Sequence, residues 1–342
     1  MRAFHAFVGS AALFILAIAA LPVLHGGWDA VAGGVMLLSA ITSMLAFALV
    51  RSPIVAAVLI GTLSLACAGG GAPQSAAADG LRVHRFDADR TWRIVERQLA
   101  HGQRPAGSVE LRTLAPKLRR LLPNGRFEAL PGEPGLRNVV GTLPGRRPAI
   151  VVGAHYDTLA KPIGFVGANN GAAGTAVVIE AARALRRVPR PPGAREVRFV
   201  LFDGEEPAVG LPEESTDFYR TGLRGSRAYV ERHPRRTAAM ILLDYVGNRG
   251  LRLPREGSST PALWGRLRAA AQLTGAARYF PDTTGPTITD DHTPFLRAGV
   301  PAVDLIDWSY PGHDLSDQLD RLSRRSLDAV GETVVELVAK LR

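Results

Sequence analysis

Cysteine is nearly absent from this chain: Cys67 is the only one in 342 residues. A disulfide framework needs pairs and a cysteine-built zinc ribbon needs several, so both are excluded. Any metal site has to be assembled from histidine and carboxylates. Lysine is almost as scarce, with Lys117, Lys161 and Lys340 alone among 41 basic residues. The net charge of +10 is therefore carried by arginine, and the arginines are scattered (Arg51, Arg82, Arg119, Arg147, Arg227, Arg324) rather than gathered in a stripe. With no clustered basic face and no recognition motif, no nucleic-acid partner is expected. An apolar share of 46% and a charged share of 21% are ordinary for a globular chain, which excludes wholesale disorder and a collagen-like repeat. The length allows two domains, or one large domain with appendages.

What is present begins with three apolar runs, Phe7 to Leu24, Val31 to Val50 and Ile54 to Ala66. The first two approach the roughly 20 residues that a bilayer span requires. The third is shorter, like the centre of a signal peptide. Arg51 precedes it and Ser64-Leu65-Ala66-Cys67 closes it. This segment resembles a bacterial lipoprotein signal, in which the cysteine is lipidated and becomes the first mature residue, although Ser64 stands where such signals usually carry an aliphatic residue. A third membrane helix is the alternative, and a start at Met44 would leave a compact signal. Ala68-Gly69-Gly70-Gly71-Ala72-Pro73 has the composition of a flexible linker. The expected division is a membrane or signal region over 1–67, a linker over 68–80 and a catalytic domain over 81–342. That domain would be membrane-anchored through the N-terminal segment, extracytoplasmic and monomeric.

From residue 81 onward the pattern alternates between strands and helices. Helices are expected over Asp87–Ala100 (with Asp89 as its cap), Leu111–Leu122, Gly171–Arg187, from Gly225 to Arg232, over Pro261–Leu273 and over Arg324–Leu341. Strands are expected over Asn138–Leu143, Ala149–Ala154, Val197–Phe202, Ala238–Asp244 and Val300–Ile306, the first two joined as a hairpin through Pro144-Gly145. Helices alternating with apolar strands predict an α/β sandwich, helices on both sides of a mixed, mostly parallel sheet. Ligands in such sheets sit beyond the carboxyl ends of the strands. Polar residues follow those ends here: His155-Tyr156-Asp157, Asp203-Gly204-Glu205-Glu206, Asp244, and a last segment running through Asp307 and Trp308 to His313 and Asp317. Imidazole and carboxylate converging from separate strands suit one divalent metal, zinc above all. In Glu205-Glu206 one carboxylate can bind metal while its neighbour acts as a general base.

Taken in order, Gly153-Ala154-His155-Tyr156-Asp157-Thr158, Gly167-Ala168-Asn169-Asn170-Gly171, Phe202-Asp203-Gly204-Glu205-Glu206, Gly225-Ser226-Arg227, Leu243-Asp244, Asp290-Asp291-His292-Thr293-Pro294-Phe295 and His313 with Asp317 resemble metallopeptidase family 28. That family contains zinc aminopeptidases and glutaminyl cyclases. The resemblance implies a three-layer α/β/α zinc-exopeptidase fold and peptide substrates. In the two-zinc aminopeptidases, His155 and Asp244 would hold one metal, Glu206 and His313 the other, and position 170 would bridge them. Glu205 would be the general base and Asp157 would orient His155. Here position 170 is Asn170, a neutral amide that bridges two cations poorly. A weakened second metal, a one-zinc site or lost activity is therefore expected. The exopeptidase reading comes first. The alternative is a cyclase with one zinc held by Asn170, Glu206 and His313, in which Glu205, Asp244 and Asp290 would move the proton. Cyclases usually carry a tryptophan just before the last histidine, where this chain has Gly312. A catalytically silent relative is the third reading.

Overall fold

The computed structural model describes residues 84–208 and 217–342, all within one compact unit, Arg82–Arg342. The apolar runs, the signal-like segment ending at Cys67 and most of the expected catalytic domain's approach, including the 68–80 linker, lie outside the described residues. No described helix is long and apolar enough to cross a membrane.

Among the described residues, six strands form one sheet: β1 (Arg126–Ala129), β2 (Arg137–Leu143), β3 (Arg146–His155), β4 (Arg195–Phe202), β5 (Thr237–Leu243) and β6 (Ala302–Leu305). Their order is β1-β2-β4-β3-β5-β6. Pairs β3–β4, β3–β5 and β5–β6 are parallel, while β1–β2 and β2–β4 are antiparallel. Only β2 therefore runs against the rest. The expected β2–β3 hairpin is not formed, because β4 lies between the two strands. Pro144-Gly145 is instead a crossing connection. It passes so close to the start of β4 that a Cβ on Gly145 would lie 2.4 Å from the Arg195 carbonyl carbon.

The helices are α1 (Ala88–Leu99), α2 (Val109–Leu121), α3 (Gly174–Leu185), α4 (Phe218–Thr221), α5 (Arg224–Arg232), α6 (Pro261–Leu273), α7 (Thr293–Arg297) and α8 (Arg324–Leu341). The cap of α1 is Asp87, not Asp89: its Oδ1 accepts from Arg90 N at 2.8 Å. Two of the elements, β1 and α7, are four and five residues long, too short for a periodic pattern to reveal.

Strand alternation divides the core into two faces. Ile150, Val152, Val197, Phe199, Leu201, Ile241 and Leu243 pack toward α3, α6 and α8. Val151, Val200, Phe202, Met240 and Leu242 pack with Tyr229 of α5 and Phe295 of α7. Helices thus cover both faces of a mixed sheet. The connection from β3 through α3 leads to β4 on one side, and the connection through α5 returns to β5 on the other. The crevice between β3 and β5 is a topological switch point, where α/β sheets bind ligands.

Register places the functional residues level with one another. His155 lies opposite Phe202, Gly153 opposite Leu242, and Leu243 opposite Leu305. The ends of β3, β4, β5 and β6 consequently deliver His155, Asp203 to Glu206, Asp244 and Ile306 to one edge. The helix expected over 171–187 begins only at Gly174. Ahead of it, Ala168–Ala173 is a distorted turn in which Asn170 (ψ 99°) and Gly171 (φ 89°) leave helical geometry. The cause is Asp317, whose two oxygens take the Asn169 and Asn170 N–H groups at 2.8 and 3.0 Å.

Gly171 is required at its position. Its φ lies where only glycine is at ease, and a Cβ would stand 2.6 Å from the Asp157 carbonyl oxygen. Gly171→Ala is expected to destabilise the fold by about 1–3 kcal/mol or more, read as a lowered thermal midpoint. An unchanged midpoint would show that this turn is not tied to Asp157.

Candidate metal and catalytic centre

A cavity of about 370 Å³ opens at this edge, lined by Asn170, Glu205, Glu206, Asp244, Asp290 and His313 among others. His155 and Asp157 lie beneath its floor, 2% and 0% exposed. The structure therefore brings all eight sequence-derived site residues into one neighbourhood.

Three carboxylates surround His155. Its Nδ1 is 3.5 Å from Asp157 Oδ1 and 3.8 Å from Glu205 Oε2, and its Nε2 is 3.5 Å from Asp244 Oδ1. Burial would push the imidazole down, but the charges of Glu205, Asp157 and Asp244 outweigh it and hold His155 well above its ordinary range. Asp157 has a second task. Its carboxylate accepts from the backbone N–H groups of Glu205 and Glu206 at 3.3 and 3.2 Å, which fixes the turn that presents both side chains. Burial and the adjacent Glu206 charge raise Glu205 well above the usual carboxylate range. A glutamate in that state can carry a proton near neutral pH, as a general acid–base group must.

Asn170 is held from two sides. Asp317 takes its backbone N–H, and its side-chain Nδ2 donates to Tyr245 Oη at 3.3 Å. Its Oδ1 is buried with no hydrogen-bond partner among the described residues, an expensive state unless a ligand supplies one. Ligand atoms of His155, Glu205 and Glu206 lie within 4.8 Å of one another. One nitrogen donor, carboxylates and a buried, unpartnered amide oxygen suit a borderline cation such as zinc.

An aromatic wall closes one side. Tyr245 stacks on Trp308 (6.4 Å between centroids, 18°) and meets His313 edge-on at 5.9 Å. A Cβ on Gly312 would stand 2.5 Å from the Tyr245 ring, so Tyr245 itself fills the space that a larger residue at 312 would need. Trp308 remains 48% exposed at the rim.

Sequence reasoning assigned no role to Tyr245, Glu256 or Asp304. Asp304 had a legible signal, a charge inside an apolar strand. Glu256 had none, because its environment is made by distant loops. Its carboxylate accepts from the backbone N–H groups of Ser258, Ser259 and Ile288 and lies 3.2 Å from His292 Nε2. Burial would raise Glu256, but the His292, Ser258 and Ile288 interactions prevail and hold it at about 2. A depressed carboxylate stabilises the fold above its unfolded pKa, and that contribution is lost as pH falls from about 4.5 to about 2. Glu256→Gln is expected to lose about 3 kcal/mol at pH 7 and to flatten the stability curve across that window in acid titrations of unfolding. A variant with the wild-type acid profile would contradict this.

Comparison with known proteins identifies the family. The model of peptidase family M28 matches residues 138–338. The chain is 30% identical over 237 residues to a glutaminyl-peptide cyclotransferase of Boiga irregularis, covering 57% of this chain and 62% of that protein. It is 30% identical over 213 residues to aminopeptidase YwaD of Bacillus subtilis, covering 56% and 41%. The matches thus span less than two thirds of these curated relatives. Among solved structures, a glutaminyl cyclase from an Acidobacteriales bacterium superposes with a TM-score of 0.66 at 28% identity, covering 78% of this chain and 98% of that one.

Proposed function

The chain belongs to peptidase family M28, and from that premise we propose that it is a zinc-dependent enzyme acting at the free N-terminus of peptides, its preferred reaction being cyclisation of an N-terminal glutaminyl residue. The observation that carries this choice is Asn170. With Nδ2 engaged by Tyr245, it offers one oxygen, Oδ1. One neutral oxygen can serve a single cation but bridges two poorly, and two-metal hydrolysis needs the bridge.

Asn170, Glu206 and His313 would hold the zinc. When bound, it polarises the amide carbonyl of the substrate as a Lewis acid. The remaining chemistry falls to the protein. Glu205 accepts a proton from the substrate α-amine as that nitrogen bonds to the side-chain amide carbon. It returns the proton to the departing nitrogen, which leaves as ammonia. His155, set among Asp157, Glu205 and Asp244 and raised well above its ordinary range by them, would supply positive charge to that cluster.

A second reading, exopeptidase activity, is favoured by Gly312, which stands where cyclases usually carry tryptophan. The two are separated by incubating the zinc-loaded full chain with unblocked peptides, one beginning with Gln, and reading products by mass spectrometry. Loss of ammonia from the Gln peptide alone is expected. Release of N-terminal residues would make the chain an exopeptidase, and no product with zinc would contradict both readings.

A further inference from the structure

Behind the Thr287 to Asp290 side of the cavity lies a second group of ligating side chains that the reaction above does not use as a centre. Asp290 and His292 precede α7, and Asp304 comes from β6. One ligand atom from each lies within 4.8 Å of the others. They are 4%, 0% and 0% exposed. Among the described residues, His292 Nδ1, both Asp304 oxygens and Asp290 Oδ2 have no hydrogen-bond partner. Buried polar atoms are rarely left so, and here they belong to three side chains that each bring a ligand atom to the same place.

The surrounding bonds fix which atoms are free. Glu256 and the Ser258 hydroxyl both meet His292 at Nε2, at 3.2 and 2.9 Å. With Nε2 engaged there, Nδ1 is the ring nitrogen left without a hydrogen-bond partner, 3.7 Å from Asp304 Oδ2. A histidine whose far nitrogen donates to a carboxylate is the usual arrangement of a metal-ligating imidazole. Two ligands at about 2.0–2.2 Å from a tetrahedral zinc stand about 3.4 Å apart, close to the separation seen. The Asp304 strand is itself anchored, its N–H donating to Ser259 Oγ at 2.9 Å. No arginine or lysine among the described residues pairs with Asp290 or Asp304, and burial with the neighbouring Asp290, Asp244 and Glu256 charges raises Asp304 well above its ordinary range; a dication between the carboxylates would relieve that repulsion.

We propose that Asp290, His292 and Asp304 form a second, structural metal site that takes one divalent cation, zinc by its ligand set. Bound there, the cation ties β6 to the segment that walls the cavity. It uses none of Asn170, Glu206 and His313, although Asp290 also lines their cavity, and its test does not depend on turnover.

The test uses the full chain in detergent, loaded with zinc alone, desalted and assayed for metal by mass spectrometry. His313→Ala, which disables the first centre, is expected to keep one zinc per chain, and adding Asp304→Asn is expected to remove it. A His313→Ala chain that keeps no zinc would overturn the proposal, as would a double variant that still holds one. Should the double variant fail to fold, thermal melting of the His313→Ala chain decides. A rise in its midpoint with added zinc is expected, and an unchanged midpoint would overturn the proposal.

Discussion

Glu205→Gln should lower turnover by about 10²- to 10⁴-fold, the range of a positioned general acid–base group, while leaving zinc bound and the fold intact. In free-energy terms that is about 2.7–5.5 kcal/mol of lost transition-state stabilisation. The amide matches the carboxylate in shape, so the backbone bond from Glu205 N to Asp157 survives. What goes is the capacity to receive a proton. Glu205 is suited to the role because it is 8% exposed at the cavity and its burial, with Glu206 alongside, makes it a stronger base than an ordinary glutamate. Zinc is assigned to other side chains, so metal content separates loss of the base from loss of the site. Near-normal turnover in Glu205→Gln would remove Glu205 from the mechanism.

Asn170→Asp should have the second largest effect, in the opposite direction. Half-maximal activity should be reached at a zinc concentration at least about tenfold lower, equivalent to about 1.4 kcal/mol. A full negative charge about 2 Å from a dication is worth far more than that before desolvation is subtracted. The surroundings accept the change. Burial and neighbouring carboxylates keep Tyr245 protonated by raising it well above its usual range, so its hydroxyl can donate to an aspartate where it now accepts from Nδ2. The backbone bond to Asp317 is untouched. The same change restores the bridging carboxylate, and release of N-terminal residues is expected to appear alongside cyclisation. An unchanged zinc requirement would show that residue 170 does not touch the metal.

These expectations began in the sequence, and the reason lies in the strand ends. A residue that follows an apolar run in an α/β pattern has its address set by the sheet. Hence His155, Glu205, Glu206 and Asp244 could be placed before any coordinates. The same logic failed at Pro144-Gly145, which has the composition of a hairpin turn. Local signals do not report that β4, fifty residues later in the chain, inserts between the neighbours. Asn170 was identified by position, but what fixes it could not be: Asp317 reaches back across the fold to take its N–H. Likewise Glu256 reads as a loop glutamate, and only the convergence of Ser258, Ser259, Ile288 and His292 makes it a buried anion.

The central claim is that Asn170, Glu206 and His313 hold one zinc at the cavity floor. A crystal of the zinc-loaded protein, measured on both sides of the zinc absorption edge, tests it most directly. An anomalous peak bonded to Asn170 Oδ1, Glu206 and His313 is expected, with none between His155 and Asp244. A zinc-saturated crystal with no peak at Asn170, or with a metal pair bridged there, would contradict it.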